Sequence, residues 1–193
     1  MLKLKMATDP RWANVAENNL DEILTDHAFC EQKAASNAIS MIVNFPELSD
    51  LVEALSAVVI EEMDHFRQVH KRILDRGGKL GKERKDSYVN ELYQFVQRGK
   101  GREQLLVDRL LFSAMIEARS CERFKLLSEK IKDQELSAWY YELMISEANH
   151  YTLFIKLAKK YACDINVDER WEQFLEYEGM IIQKYGVGET MHG

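Results

Sequence analysis

A chain of 193 residues suits one domain with a well-buried core, and 46% hydrophobic with 30% charged residues is a globular balance, neither fibrous nor disordered. No apolar run approaches the ~18 residues of a membrane span, and Met1–Met6 is too short and polar for a signal peptide, so the expected setting is the cytoplasm with no membrane partner. The net charge of −6 conceals a division: residues 71–102 hold ten Lys/Arg against four acids, a basic connector on an acidic body.

Two prolines and nine glycines are little punctuation for this length, which favours long helices. Apolar residues at helical spacing predict four. The first covers about 14–43, with Leu20, Leu24, His27, Ala28, Glu31, Ala35, Ala38 and Ile42 on one face. Asn44-Phe45-Pro46 ends it, and Ser49 or Asp50 is the expected cap of the next. The second carries Leu55, Val58, Glu62, His65, Val69 and Ile73 and stops at Gly77-Gly78. A basic crossover follows over about 77–102, with a short helix expected behind a Ser87 cap. The third helix, about 103–131, runs through Leu106, Leu110, Ser113, Glu117, Ser120, Cys121, Phe124 and Leu127. Asp133 caps the fourth, which carries Leu136, Tyr140, Leu143, Glu147, His150, Phe154 and Leu157, and a further helix is expected over about 170–185.

Short first and third turns make antiparallel neighbours, and the long middle connection can travel the length of a bundle. Two hairpins joined by one long crossover predict an all-α, ferritin-like four-helix bundle with an additional C-terminal helix. The whole chain is read as a single domain with its core over about 14–162. Cys30, Cys121 and Cys163 are distant, odd in number and form no CxxC pair, which argues against a disulfide framework or zinc ribbon and for a reducing compartment.

Four glutamates and two histidines interrupt the apolar faces just described. Glutamate is almost never fully buried without a partner, so four of them with two imidazoles ask for a shared one. Glu62/His65 and Glu147/His150 are i, i+3 pairs that point the same way on a helix. Two such pairs plus one Glu from each of the other two helices, Glu31 and Glu117, is the pattern of di-iron and di-manganese bundles. Height agrees: Glu31 lies 15 residues before Pro46 and Glu62 16 after it, while Glu117 lies 16 before Asp133 and Glu147 14 after it. At ~1.5 Å per residue the four carboxylates fall within about one turn of a common level. Their summed charge of −4 would be cancelled by two ferrous ions. Glu61, Glu122, Glu129 and Glu142 are read as exposed charge, Asp64 and Asn149 as solvent-facing or outer neighbours, His27 as a neighbour of the ligand set, and Trp12, Trp139 and Trp171 as packing. Oxygen ligands with two imidazoles suit iron or manganese, and by themselves leave an oxygenase, a ferroxidase of bacterioferritin type and a manganese catalase open.

Four segments narrow that choice: 26–36 (DHAFCEQKAAS), 61–65 (EEMDH), 116–124 (IEARSCERF) and 146–151 (SEANHY). Over about residues 20–160 the chain resembles the tRNA 2-methylthio-N6-isopentenyladenosine hydroxylases, the MiaE family, with IEARSCERF the most specific stretch. The resemblance implies a di-iron monooxygenase that uses dioxygen to hydroxylate the isopentenyl chain of the adenosine beside the anticodon, with two electrons per cycle from an external donor. It assigns the irons to Glu31, Glu62, His65, Glu117, Glu147 and His150. Asn149 stands where the family is expected to carry arginine, and 187–193 match only loosely. A tRNA substrate gives the crossover a role: Lys79, Lys82, Arg84, Lys85, Arg98, Lys100 and Arg102 are the expected phosphate contacts. A monomer or dimer is expected in preference to a ferritin-type shell.

Overall fold

A computed structural model of the chain describes residues 2–185 and 191. The described residues form seven helices and no strand: α1 Trp12–Asn18, α2 Leu20–Asn44, α3 Ser49–Asp75, α4 Ser87–Tyr93, α5 Arg102–Lys130, α6 Gln134–Tyr161 and α7 Val167–Tyr185. They divide into two compact units, one of residues 19–85 with Met191, the other of 2–18 and 86–185. Among the described residues no helix is long and apolar enough to cross a membrane. The loosely matching tail at 187–193 lies outside the described residues, apart from Met191.

The first unit is the α2/α3 hairpin. Buried Leu24, Ala28, Ala35, Ala38 and Met41 recur at helical spacing along α2, and Leu51, Leu55, Val58, Val69 and Ile73 do so along α3. This spacing gives each helix one apolar stripe. Phe45 N–H donates to Met41 O at 3.0 Å and Leu48 N–H to Phe45 O at 3.2 Å, closing the turn around Pro46. At the far end Gly78 N–H reaches Ile73 O at 3.0 Å and Gly77 N–H reaches Leu74 O at 2.8 Å. With φ of +76° at Gly77, this is a Schellman stop that needs a residue without Cβ. The crossover then folds back on α2. Arg84 pairs with Glu22, Glu83 with Lys33 at 3.0 Å, and a Cβ on Gly81 would meet Thr25 Cγ2 at 3.0 Å.

The second unit is built around α5. From Leu106 to Ser120 only Ile116 escapes full burial, because α1, α4, α6 and α7 all pack on this helix. Asp133 caps α6 as expected, accepting from Glu135 N at 3.0 Å and Leu136 N at 3.1 Å. A buried latch ties the crossover and α7 to α5. Asp108 accepts from Arg170 Nε at 2.9 Å and Nη2 at 2.7 Å, and from Gln97 N–H at 2.8 Å. Arg170 also donates to Phe95 O at 2.8 Å and stacks over the Phe95 ring at 4.3 Å.

Four expected boundaries shift. The first helix is two, α1 and α2, parted at Asn19, where adjacent Asn18 and Asn19 favour turns over helix interior. Leu48, not Ser49 or Asp50, takes the N-cap position of α3; Ser49 is already helical, and Asp50 lies in the first turn, where negative charge suits the helix dipole. Asp86, not Ser87, caps α4 by accepting from Val89 N at 2.8 Å, a stronger acceptor than a hydroxyl. Finally α7 begins at Val167, earlier than expected, because Asn166 Oδ1 accepts from Glu169 N at 3.2 Å.

Candidate metal centre

In the α2/α3 unit, Glu31, Glu62 and His65 are 5%, 0% and 6% exposed. Glu62 and His65 fall in register with the Leu55, Val58, Val69 and Ile73 stripe, so the fold that buries those apolar residues also turns these two inward. One ligand atom from each of the three lies within 4.8 Å of the others. His65 Nδ1 stands 3.6 Å from Glu62 Oε2 and 3.9 Å from Glu31 Oε2. Those separations are too long for hydrogen bonds and suit atoms that converge on an ion. His27, fully buried, sits 2.6 Å from Glu31 Oε1 through Nε2.

The second unit repeats the arrangement. Glu117 of α5 and Glu147 and His150 of α6 are 3%, 2% and 3% exposed, and one ligand atom from each again lies within 4.8 Å of the others. Leu110, Phe124, Leu143 and Phe154, all buried, flank them along the same helices. Cys121 follows Glu117 by one turn and donates to Met144 O at 3.4 Å. Its thiol is pushed up to about 11, by burial first and by the Glu147 and Glu122 carboxylates next, so it remains protonated at neutral pH. Each triplet of two carboxylates and one imidazole is a donor set for a divalent ion of the iron or manganese type, and burial without such an ion would oppose the charge on every carboxylate.

Other expectations resolve case by case. Glu61, Glu129, Glu142 and Asn149 are exposed. Asp64 pairs with Arg67 and accepts from Gln68 at 2.8 Å. All three tryptophans are buried. The three cysteines are free thiols. Of the basic residues, Lys79, Lys82, Lys85, Arg98, Lys100 and Arg102 are exposed, whereas Arg84 is partly covered and engaged by Glu22. Lys79, Lys82 and Arg84 border a cleft whose other side carries Asp21, Glu22 and Thr25. Arg98 lies over the Tyr93 ring at 4.9 Å.

Glu122 corrects the sequence reading. It is not an exposed charge: its carboxylate accepts from Thr8 N–H at 2.7 Å, Thr8 Oγ1 at 2.6 Å and Arg119 Nη1 at 2.6 Å. Arg119, with no exposed surface, also gives Glu178 two bonds, from Nε at 2.9 Å and Nη2 at 2.6 Å, and donates to Met6 O at 2.9 Å. Tyr88 donates to the same Glu178 oxygen at 3.0 Å. Burial works against the Arg119 charge, but Glu178, Tyr88 and Glu122 outweigh it and hold its pKa above the ordinary value. Arg123, equally buried and 4.5 Å over the Trp12 ring, is pushed down to about 10, by burial first and by Arg119's like charge second. This network ties the N-terminal arm, α4 and α7 to the back of the helix that carries Glu117. Two signals could have revealed it. Asp108, Phe112, Met115, Arg119, Glu122 and Arg123 form one stripe in which charges flank two large apolar residues, and Glu178 interrupts the buried run Trp171, Phe174, Leu175, Ile181 and Ile182 of α7.

The chain can now be set beside known proteins. A solved structure of a Synechococcus protein with aldehyde deformylating oxygenase activity is 33% identical and superposes with a TM-score of 0.91, over 98% of this chain and 95% of that one. The fold class is accordingly all-α and ferritin-like. A tRNA 2-(methylsulfanyl)-N(6)-isopentenyladenosine(37) hydroxylase of Pseudomonas putida is 36% identical across 83% of this chain and 77% of the relative. A hydroxylase of the same description from Salmonella typhimurium is 27% identical across 85% of this chain and 77% of its own. The family described as tRNA-(MS[2]IO[6]A)-hydroxylase (MiaE) matches residues 2–193. With nearly its whole length matched, and IEARSCERF supplying both Glu117 and the Arg119–Glu122–Arg123 network, the chain belongs to the tRNA-(MS[2]IO[6]A)-hydroxylase (MiaE) family.

Proposed function

We propose that this tRNA-modifying hydroxylase inserts one atom of dioxygen into the isopentenyl side chain of 2-methylthio-N6-isopentenyladenosine, beside the anticodon, in the cytoplasm. In this reading the two units act as one ferritin-like domain, and the triplets Glu31–Glu62–His65 and Glu117–Glu147–His150 supply the six ligands of a two-iron centre. The observation that carries it is the pair of buried Glu–Glu–His triplets, one in each unit, on a chain matched by the hydroxylase family from end to end. Two ferrous ions bound there would supply the electrons and the Lewis acidity with which dioxygen is activated toward an allylic C–H bond of that side chain. The balance is one C–H bond and dioxygen, with two electrons and two protons from outside, giving one C–OH and one water.

The chain's own residues have three tasks. The carboxylates neutralise the ions, leaving a centre of low net charge in an apolar interior. Leu110, Phe124, Leu143 and Phe154 keep water away from the α5/α6 triplet, which favours reaction with a bound substrate over side reactions with solvent. The exposed lysines hold tRNA through phosphates that carry no sequence information. The match of the hydroxylase family to residues 2–193 favours hydroxylation over iron storage and manganese catalase, the alternatives that the ligand types allow. A monomer or dimer, served by a separate electron donor, completes the proposal.

The direct test incubates tRNA carrying the isopentenylated nucleoside with iron-loaded enzyme, a reductant and isotopically labelled dioxygen, followed by nucleoside mass spectrometry. One labelled oxygen should appear in the side chain and be lost in Glu147→Ala; unlabelled product, or no product from a preparation holding two irons, overturns the proposal. Because Glu22 engages Arg84, the grip on RNA is better tested at Lys79, Lys82 and Lys85. Their joint replacement by alanine is expected to weaken tRNA binding and flatten its salt dependence by up to ~0.9 per lost duplex contact and ~0.7 per lost single-strand contact. Iron content should stay unchanged. Unchanged affinity and slope would make the patch a solvated loop.

A further inference from the structure

Among the described residues His27 is the one buried imidazole that the six-ligand set leaves out, and its geometry gives it a task. It has no exposed surface, and its Nε2 lies 2.6 Å from Glu31 Oε1, one helical turn ahead on α2. A carboxylate brings no hydrogen to such a contact, so the imidazole N–H donates. The turn of α2 that carries His27 is fixed on both sides. Thr25 packs against Gly81, and Asp26 accepts the Met191 N–H at 2.6 Å. The equivalent place one turn before Glu117 on α5 is Ser113, whose hydroxyl donates to Arg109 O at 3.1 Å.

We infer that His27 is a positioning residue for Glu31: its Nε2–H occupies Oε1, leaves Oε2 to face His65, and thereby fixes the orientation and basicity of one iron ligand. This rests on the two-iron reading. Partners of this kind set ligand orientation, and their loss costs about 10–100-fold in metal affinity. Because the contact is made to Glu31, the affected ion is the one that Glu31 would bind.

The test is anaerobic ferrous titration against a competing chelator in wild type, His27→Leu, which keeps bulk without a donor, and His27→Gln, which keeps a donor. Electron paramagnetic resonance of the half-oxidised centre counts coordinated imidazole nitrogens in each. In His27→Leu one of two irons should bind about 10–100-fold more weakly, His27→Gln should recover most of that loss, and all three proteins should hold the same two imidazoles. Melting of the metal-free proteins reports whether each variant is folded, and His27→Gln carries the comparison should His27→Leu fail to fold. Wild-type affinity in His27→Leu, no recovery in His27→Gln, or one fewer coordinated nitrogen in either variant overturns the inference. A wild type that binds no iron removes the two-iron reading itself, a separate and recognisable result.

Discussion

Replacing Glu117 by alanine is expected to leave the protein unable to hold its full iron complement, whereas Glu122→Ala is expected to keep it. The two residues lie five apart on α5 and look equally acidic in the sequence, but they face different surroundings. Glu117 is 3% exposed among the α5/α6 triplet; Glu122 is bound to Thr8 and Arg119. Saturating iron at a hundred times its dissociation constant should add ~2.7 kcal/mol to the wild type, so chelation should lower its melting temperature and ferrous iron restore it. Glu117→Ala should give little or none of that response. Metal-free Glu117→Ala should also melt no lower than metal-free wild type, because one of several carboxylates repelling in a low dielectric has been removed. Glu122→Ala should show the opposite signature, with iron response intact but about 1–3 kcal/mol lost from the unpaired Thr8 and Arg119 donors. Equal iron loss in both variants would break the assignment of α5's two faces.

The largest effect on stability is expected at Glu178. Its carboxylate and Arg119 are both without exposed surface and meet at 2.6 and 2.9 Å. In Glu178→Ala the guanidinium stays in the core without its main counter-charge, and removal of one member of such a pair costs about 3–5 kcal/mol. Urea unfolding should register this as a lower midpoint with little change in slope. Replacing both, Arg119→Met with Glu178→Leu, should lose clearly less than the sum of the two single changes, because no charge is then stranded. A loss under ~1 kcal/mol for Glu178→Ala would mean that Glu122 and the Met6 carbonyl suffice to hold Arg119.

Sequence reading succeeded where the signal is local and contradictory. A glutamate in an apolar stripe, twice followed by histidine at i+3, is a contradiction that a divalent ion would resolve, and all six such residues are buried as expected. Pro46, Gly77 and Asp133 end or cap helices through bonds within a few residues, so the hairpins were legible too. What escaped was long-range. Arg119 and Glu178 lie 59 positions apart, and a stripe of charges on α5 reads as a solvated face until α1, α4 and α7 are known to cover it. The same limit applied to Glu122, whose partner Thr8 is 114 positions away. His27 was seen to point inward, but its role depends on a 2.6 Å contact that helical spacing permits without requiring. At Asp86 the failure was smaller: two adjacent capping residue types compete, and only the backbone decides which is used.

The Arg119 cluster also constrains descent. Its three nitrogens are spent on four partners from different parts of the chain: Nε on Glu178, Nη1 on Thr8 and Glu122, and Nη2 on Glu178 and the Met6 carbonyl. Lysine offers one ammonium on a flexible stem and cannot reproduce that fan. A single uncharged replacement at position 119 or 178 therefore passes through an ancestor with a stranded buried charge, a valley several kcal/mol deep in a protein whose whole margin is about 5–15 kcal/mol. Lineages can cross it only by changing both positions together or by first gaining stability elsewhere. Where the family diverges, these two residues should be inherited as one character.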